Sequence, residues 1–448
     1  MKIFPKDFIW AAATSSYQVE GAAFADGKGL SIWDKFAAQA GNVRDDRTAN
    51  VSSDQYHHYK EDIQLMKDMG LKAYRLSLSW PRIFPTGRGE INGLGIDYYK
   101  KLCDELLANN IEPYVTLYHW DLPLTLQEEF GGWESKETVK YFGDYASKVA
   151  QELGARVKNY FTINEFFACS DVGYSLGLIA PGLKLSNKRR NQIRHNVLLA
   201  HGIALEALRA NAPHAKISIA ENPIIGVPII DSPEHTEAGK KALREINAPF
   251  LTAIMEGKYL DCYLEKEKAD APIFTDAEMR KISAPMDFLG LNIYYGSAVM
   301  ADKNASTGYK LFEAIPGEKS PAFVDTTYFE PASLYWGIRL ISELWTPKAI
   351  MITENGLLAD DRVDRDGNVY DTYRINQLRC YLSSLYQALD EGYPITGYFV
   401  WSFLDVFEWH YGYRSRYGLY YINYETGERI PKLSAQWYKK TIANNRIL

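Results

Sequence analysis

The chain has 448 residues, 46% hydrophobic and 24% charged, which excludes a disordered or fibrous polypeptide and suits a globular enzyme with a substantial core. Fifty Lys and Arg against 56 Asp and Glu leave a net charge of −6, and one short basic run, "NKRR" at 187–190, does not make a nucleic-acid surface. Four widely spaced cysteines, Cys103, Cys169, Cys262 and Cys380, form no CxxC pair, so neither a zinc site nor a disulfide framework is expected and a cytoplasmic setting fits.

The N-terminal "MKIFPKDFIWAAATSSYQ" begins like a leader, but Pro5, Lys6 and Asp7 interrupt it and the apolar run from Phe8 to Ala13 is too short for a signal core. No stretch approaches a membrane span. The first β-rich run is "FIWAAAT" (8–14). A helical segment follows at 56–70, with Tyr59, Ile63, Met66 and Met69 on one stripe. It contains the only adjacent histidines, His57 and His58, and no HExxH spacing occurs, so no metal is expected.

Seven more runs alternate with helix-like segments: "AYRLSLSW" (73–80), "EPYVTLYHW" (112–120), "NYFTINE" (159–165), "KISIAEN" (216–222), "FLGLNIY" (288–294), "AIMITEN" (349–355) and "ITGYFVW" (395–401). That alternation indicates parallel βα units, and eight strands close a TIM barrel. The expected fold is therefore α/β, a single (β/α)8 domain over 1–448, with the stretches near 225–285 and 296–345 as insertions.

A lone Asn-Glu at a strand end, such as Asn164-Glu165, is commonly a turn or helix start. The collective pattern is more informative. Arg75 lies in the second run, His119 and Trp120 end the third, Asn164 and Glu165 the fourth, Asn292 and Tyr294 the sixth, Glu354 and Asn355 the seventh, and Trp401 the eighth. In a barrel these ends share one mouth. Two carboxylates among aromatic platforms are the equipment of glycoside hydrolysis, where one protonates the leaving oxygen and the other attacks the anomeric carbon or activates water. The 32 Tyr and 10 Trp supply flat faces with polar handles, although most belong to the core.

"SSYQVEGA", "YRLSLSWPRI", "LYHWDLP", "TINE", "LGLNIYY", "ITENG" and "FVWSFLDVFEWHYGY" occur in this order, with "GNVYDTYRI" after the seventh run. In these blocks the chain resembles glycoside hydrolase family 1, the β-glucosidase family, over essentially its whole length. The resemblance implies a retaining β-glycosidase with Glu165 as acid/base and Glu354 as nucleophile, the latter oriented by Arg75 and Tyr294. It implies sugar contacts from Gln18, His119, Trp120, Asn164, Asn292, Trp401, Glu408, Trp409 and Tyr417, no cofactor, and a small β-glycoside or oligosaccharide as the partner. Oligomeric state leaves no signal in the sequence.

The chain also departs from the family pattern. Phe166 stands where Pro usually follows the Asn-Glu pair, Val406 where Asn is common, Tyr417 where Phe is usual, and Ser333 replaces a Gly. The position of an aglycone-stacking Trp falls at Thr327 or Tyr328. The nearest rivals are a 6-phospho-β-glycosidase, against which Glu408 argues by its charge, and a non-catalytic sugar-binding barrel, which would lack one carboxylate. A myrosinase-type thioglucosidase would carry Gln in place of Glu165.

Overall fold

Eight strands, β1 (Ile9–Ala13), β2 (Ala73–Ser77), β3 (Glu112–Tyr118), β4 (Asn159–Asn164), β5 (Lys216–Glu221), β6 (Leu289–Asn292), β7 (Ile350–Asn355) and β8 (Ile395–Trp401), pair in sequence order. Parallel pairing of β1 with β8 closes the barrel. This is the expected α/β architecture, seen in a computed structural model that describes residues 2–312 and 329–448.

All eight expected strands are present, and most are shorter than the apolar runs that announced them. The second stops at Ser77 because Pro81 sits in the first turn of a short helix, Trp80–Ile83, where its fixed φ suits helix and its missing N–H is not needed. The third stops before Trp120, whose φ of 76° takes the chain out of extended geometry. The expected helix spans Gln55–Met69 and ends at Gly70, with Ile63, Met66 and Met69 buried, Tyr59 half-buried, and His57 and His58 on its surface beside Asp54 and Glu61.

The barrel interior is filled rather than hollow. Ala11, Ala13, Ala73 and Ala220 make room for Tyr114, Phe161, Phe288, Met351, Phe399 and Trp401, a mixture of small and large side chains that packs a closed sheet. Residues of opposite parity, among them Trp10, Tyr74, Val115, Leu117 and Tyr160, belong to the larger core shared with the helices. Strands buried on both faces are nearly continuous in apolar residues, which is why they were legible. The two long stretches between units carry helices and a separate three-stranded sheet of Ile225–Pro228, Gly296–Ala301 and Tyr309–Phe312, packed with Ala238, Ala242, Val299 and Tyr309. Among the described residues no helix is long and apolar enough to cross a membrane.

The segments leaving β7 and β8 are tied together by buried charge. Lys432, fully buried before the C-terminal helix Leu433–Asn444, donates to Asp361 and to Asp405, both at 2.6 Å. Arg374 lies 2.8 Å from Asp361 and Arg416 2.6 Å from Asp405. Burial opposes ionisation of Asp361, yet Arg374 and Lys432 hold its carboxyl well below the usual range. Removing one member of such a set leaves buried charge uncompensated. Lys432→Met is therefore expected to destabilise the fold by about 3–5 kcal/mol, measured as a lowered urea midpoint, and a loss under about 1 kcal/mol would contradict the account.

Candidate active site

Glu165 and Glu354 both sit where strand pairing loses its register. β4 and β5 shift between Phe161 and Asn164, and β7 shifts against β6 and β8 between Ile352 and the Glu354–Asn355 pair. Such irregularities re-aim side chains at barrel rims. Glu165 also takes a φ of 51°, a left-handed conformation rare for residues with a Cβ, and its N–H is held by the Ala220 carbonyl at 2.8 Å.

A chain of hydrogen bonds links the two carboxylates. Arg75, 1% exposed, donates Nη1–H to Glu354 Oε1 at 2.5 Å, Nη2–H to Asn164 Oδ1 at 2.6 Å and Nε–H to Thr116 at 3.0 Å. Asn292 donates to the same Asn164 oxygen at 3.0 Å and to Glu165 Oε1 at 2.8 Å, while its own oxygen accepts from Thr353 at 2.7 Å. Tyr294 donates to Glu354 Oε2 at 2.8 Å. Each amide therefore has one orientation that satisfies its neighbours.

The environments of the two acids differ. Burial, then the charge of Glu354, pushes Glu165 up to about 8, with Asn292 pulling the other way. Burial also raises Glu354, but Arg75, Tyr294 and Asn292 oppose it. Glu408 is pushed up to about 8 by burial and by Glu354, against a bond from Gln18. Burial and the Arg75 charge hold His119 well below its ordinary value, so the ring is neutral, and Nε2 accepts from the Asn164 amide at 3.2 Å.

These groups enclose a cavity of about 260 Å3. Of the residues singled out in the sequence, His119, Trp120, Asn164, Glu165, Tyr294, Glu354, Trp401, Glu408, Trp409 and Tyr417 line it. Its aromatic wall is continuous: His119 stacks on Trp401 at 5.7 Å, Trp120 meets Trp409 at 4.6 Å, and Trp409 rests on Trp33 at 4.5 Å. Arg75, Asn292 and Gln18 are not among its lining residues and bond to Glu354, Glu165 and Glu408, which are. Gln18 is fully buried, donates to Glu408 at 3.3 Å and to the Phe407 carbonyl at 3.0 Å, and accepts from Ser15 at 2.7 Å; it orients Glu408.

The departures are also placed. Phe166 is fully buried and its N–H donates to Glu221 Oε2 at 3.0 Å. Val406 is buried and its carbonyl accepts from Tyr424 at 3.1 Å. Tyr417 brings its ring edge-on to Tyr294 at 6.2 Å, and Ser333 donates to the Glu330 carbonyl at 2.6 Å. Thr327 and Tyr328 lie outside the described residues. Sequence reasoning passed over Thr116, Thr353, Glu221 and the pocket-lining Asn222. A signal for the last two existed, since the run "KISIAEN" (216–222) ends on Glu221-Asn222 much as "AIMITEN" (349–355) ends on Glu354-Asn355.

Paired carboxylates at bulged strand ends, a guanidinium on one of them and an aromatic wall form a glycosidase constellation. The Glycosyl hydrolase family 1 pattern matches residues 1–447. The chain belongs to glycosyl hydrolase family 1. This family 1 member is 39% identical to β-glucosidase A of Acetivibrio thermocellus over 444 residues, covering 99% of this chain and 98% of that one. It is also 39% identical to a 1,4-β-D-glucan glucohydrolase of Thermotoga neapolitana over 446 residues, 99% of each chain. The β-glucosidase of Thermotoga maritima in complex with castanospermine superimposes with a TM-score of 0.91 at 38% identity, over all of both chains.

The charge of Glu354 is one reason Glu165 holds its proton to about 8. Removing that charge in Glu354→Gln should lower the pH at which the Glu165 carboxyl titrates, while burial keeps it above an ordinary glutamate. Carbon-13 NMR of side-chain-labelled glutamate reads this, and an unchanged or raised midpoint would contradict it.

Proposed function

We propose that this family 1 glycosyl hydrolase is a retaining β-glucosidase that removes terminal, non-reducing β-D-glucosyl residues from small β-glycosides or oligosaccharides. The observation that carries the reading is the unequal treatment of two carboxyls in one pocket: Glu354 is paired with Arg75 and Tyr294, whereas Glu165 is buried with a single amide donor. The first is equipped to stay ionised and attack, the second to arrive protonated. Relatives named β-glucosidase, and a neighbour solved with castanospermine, support the β-glucosidase reading.

In the first step a Glu354 oxygen forms a bond to the anomeric carbon as the glycosidic bond breaks, and the proton of Glu165 goes to the departing oxygen. The product is a covalent glycosyl ester. Glu165, now a carboxylate, takes a proton from a water whose oxygen attacks the same carbon from the side the aglycone left, expelling Glu354. Two inversions return the β configuration. Asn164, held between Arg75 and Asn292, is placed to bond the 2-hydroxyl as positive charge develops at the anomeric carbon. Trp401 and Trp409 offer faces for the sugar's C–H surface, with His119, Trp120 and Glu408 as hydroxyl partners. Hydroxyls donating to Glu408 favour its ionised form. We place the enzyme in the cytoplasm, on its four free cysteines, and read its 448 residues as one catalytic domain.

Early-time NMR of sugar released from a nitrophenyl β-glucoside should show the β anomer first, and α anomer first would refute the mechanism. Glu354→Ala should abolish turnover. Glu165→Ala should slow substrates with poor leaving groups by about 10²–10⁴-fold and activated ones far less, with azide partly restoring the rate; wild-type rates in both variants would refute the assignment.

Glu408 separates neutral from 6-phosphorylated glycosides, because a phosphate dianion would meet its carboxylate. Hydrogen bonds to a charged group contribute about 1.5–3 kcal/mol each. Glu408→Ser should lower kcat/KM for nitrophenyl glucoside by more than tenfold while shrinking its preference over the 6-phosphate. Efficient cleavage of the 6-phosphate by wild-type enzyme would overturn the neutral-sugar assignment and leave the two catalytic glutamates in place.

A further inference from the structure

The two peptides that flank Glu165 are gripped by consecutive residues of β5. The Glu165 N–H donates to the Ala220 carbonyl at 2.8 Å, and the Phe166 N–H donates to the Glu221 side chain at 3.0 Å. Glu221 is 2% exposed and Phe166 fully buried, so this bond lies away from bulk solvent. Burial pushes the Glu221 carboxyl up to about 7, and the interactions that oppose this are two backbone N–H groups, those of Phe166 and Asn222. Among the described residues it thus holds main chain, and part of that main chain is the residue next to Glu165.

Glu165 needs such holding. Its φ of 51° lies in the left-handed region, which carries a conformational cost for a residue with a Cβ and persists only where the surroundings over-determine it. A proline at position 166 would restrict this junction covalently through a fixed φ, and would have no N–H to offer. Phe166 restores the freedom and the donor together. An N–H buried without an acceptor costs about 1–3 kcal/mol, so a non-proline residue here requires an acceptor at the position Glu221 occupies.

We propose that Glu221 is a positioning residue for the acid/base, its carboxylate fixing the Glu165–Phe166 peptide through the Phe166 N–H in place of the constraint a proline supplies. The inference rests on the reading of Glu165 as acid/base. Misplacement of a general acid harms the substrates that need a proton on departure and spares those that do not. Fixing this peptide therefore sets the leaving-group dependence of the enzyme rather than its affinity for the sugar.

The test measures kcat/KM across aryl β-glucosides from dinitrophenyl to phenyl, with cellobiose as the poorest leaving group. Glu221→Leu should lose at least tenfold on cellobiose and phenyl glucoside and under threefold on the dinitrophenyl substrate. Glu221→Gln, which keeps an acceptor oxygen, should recover most of the lost rate. Adding Phe166→Pro to Glu221→Leu removes the stranded N–H and should restore the poor substrates by at least threefold. If Glu221→Leu does not fold, Glu221→Asp, a methylene shorter, carries the same expectation. A loss equal on all substrates, equal losses in the Gln and Leu variants, or no restoration by Phe166→Pro would each overturn the inference. Glu165→Ala run alongside separates the two readings: a selective loss there with a flat Glu221→Leu profile overturns this inference alone, and a flat Glu165→Ala profile overturns both.

Discussion

A guanidinium with 1% exposure cannot be left unpaired, and the placement of Arg75 in β2 organises the whole mouth of the barrel. Its three nitrogens reach Thr116 of β3, Asn164 of β4 and Glu354 of β7. Strands far apart in sequence are thus locked to one planar group. Because the fork is rigid, its partners have little freedom in where they sit. Asn164 is oriented by it, Asn292 is oriented by Asn164, and Glu165 accepts from Asn292. Retaining chemistry depends on the relative placement of two carboxyls, and this sequence of bonds supplies it.

The same cation governs charge. Glu165, Glu354 and Glu408 share one small cavity, and Arg75 contacts only Glu354 among them. Three carboxylates cannot all ionise in such a place at little cost. Glu354 has the guanidinium and a tyrosine hydroxyl, while the other two are pushed up to about 8 by burial and by Glu354 itself. Division of labour between acid and nucleophile follows from where a single positive charge was put.

Rigid loops are needed for these placements to last. The segments after β7 and β8 carry Asp361 and Asp405, and both run onto Lys432 at the C-terminal helix. The chain that bears Glu408 and Trp409 departs from this anchor three residues past Asp405. Buried charge is a poor source of net stability, yet it specifies geometry when every member is satisfied. Here it fixes the loop whose Glu408, Trp409 and Tyr417 line the cavity.

Much of this was legible beforehand. Barrel strands buried on both faces read as apolar runs, so β1 to β8 could be placed from sequence, and polar residues ending those runs marked the rim. Ordered motifs then tied Glu165, Glu354 and their neighbours to one family. Strand ends were overextended because Pro81 and the positive φ of Trp120 act on the backbone, not on hydrophobic pattern. Gln18 behind Glu408, and Glu221 beneath the Phe166 N–H, could be assigned only in the folded chain. Residue types and their order along a strand are written in the sequence, and they determined the fold and the two acids. Which buried donor meets which acceptor depends on residues 55 or 390 positions apart converging to hydrogen-bond distance, and only the closed barrel decides that.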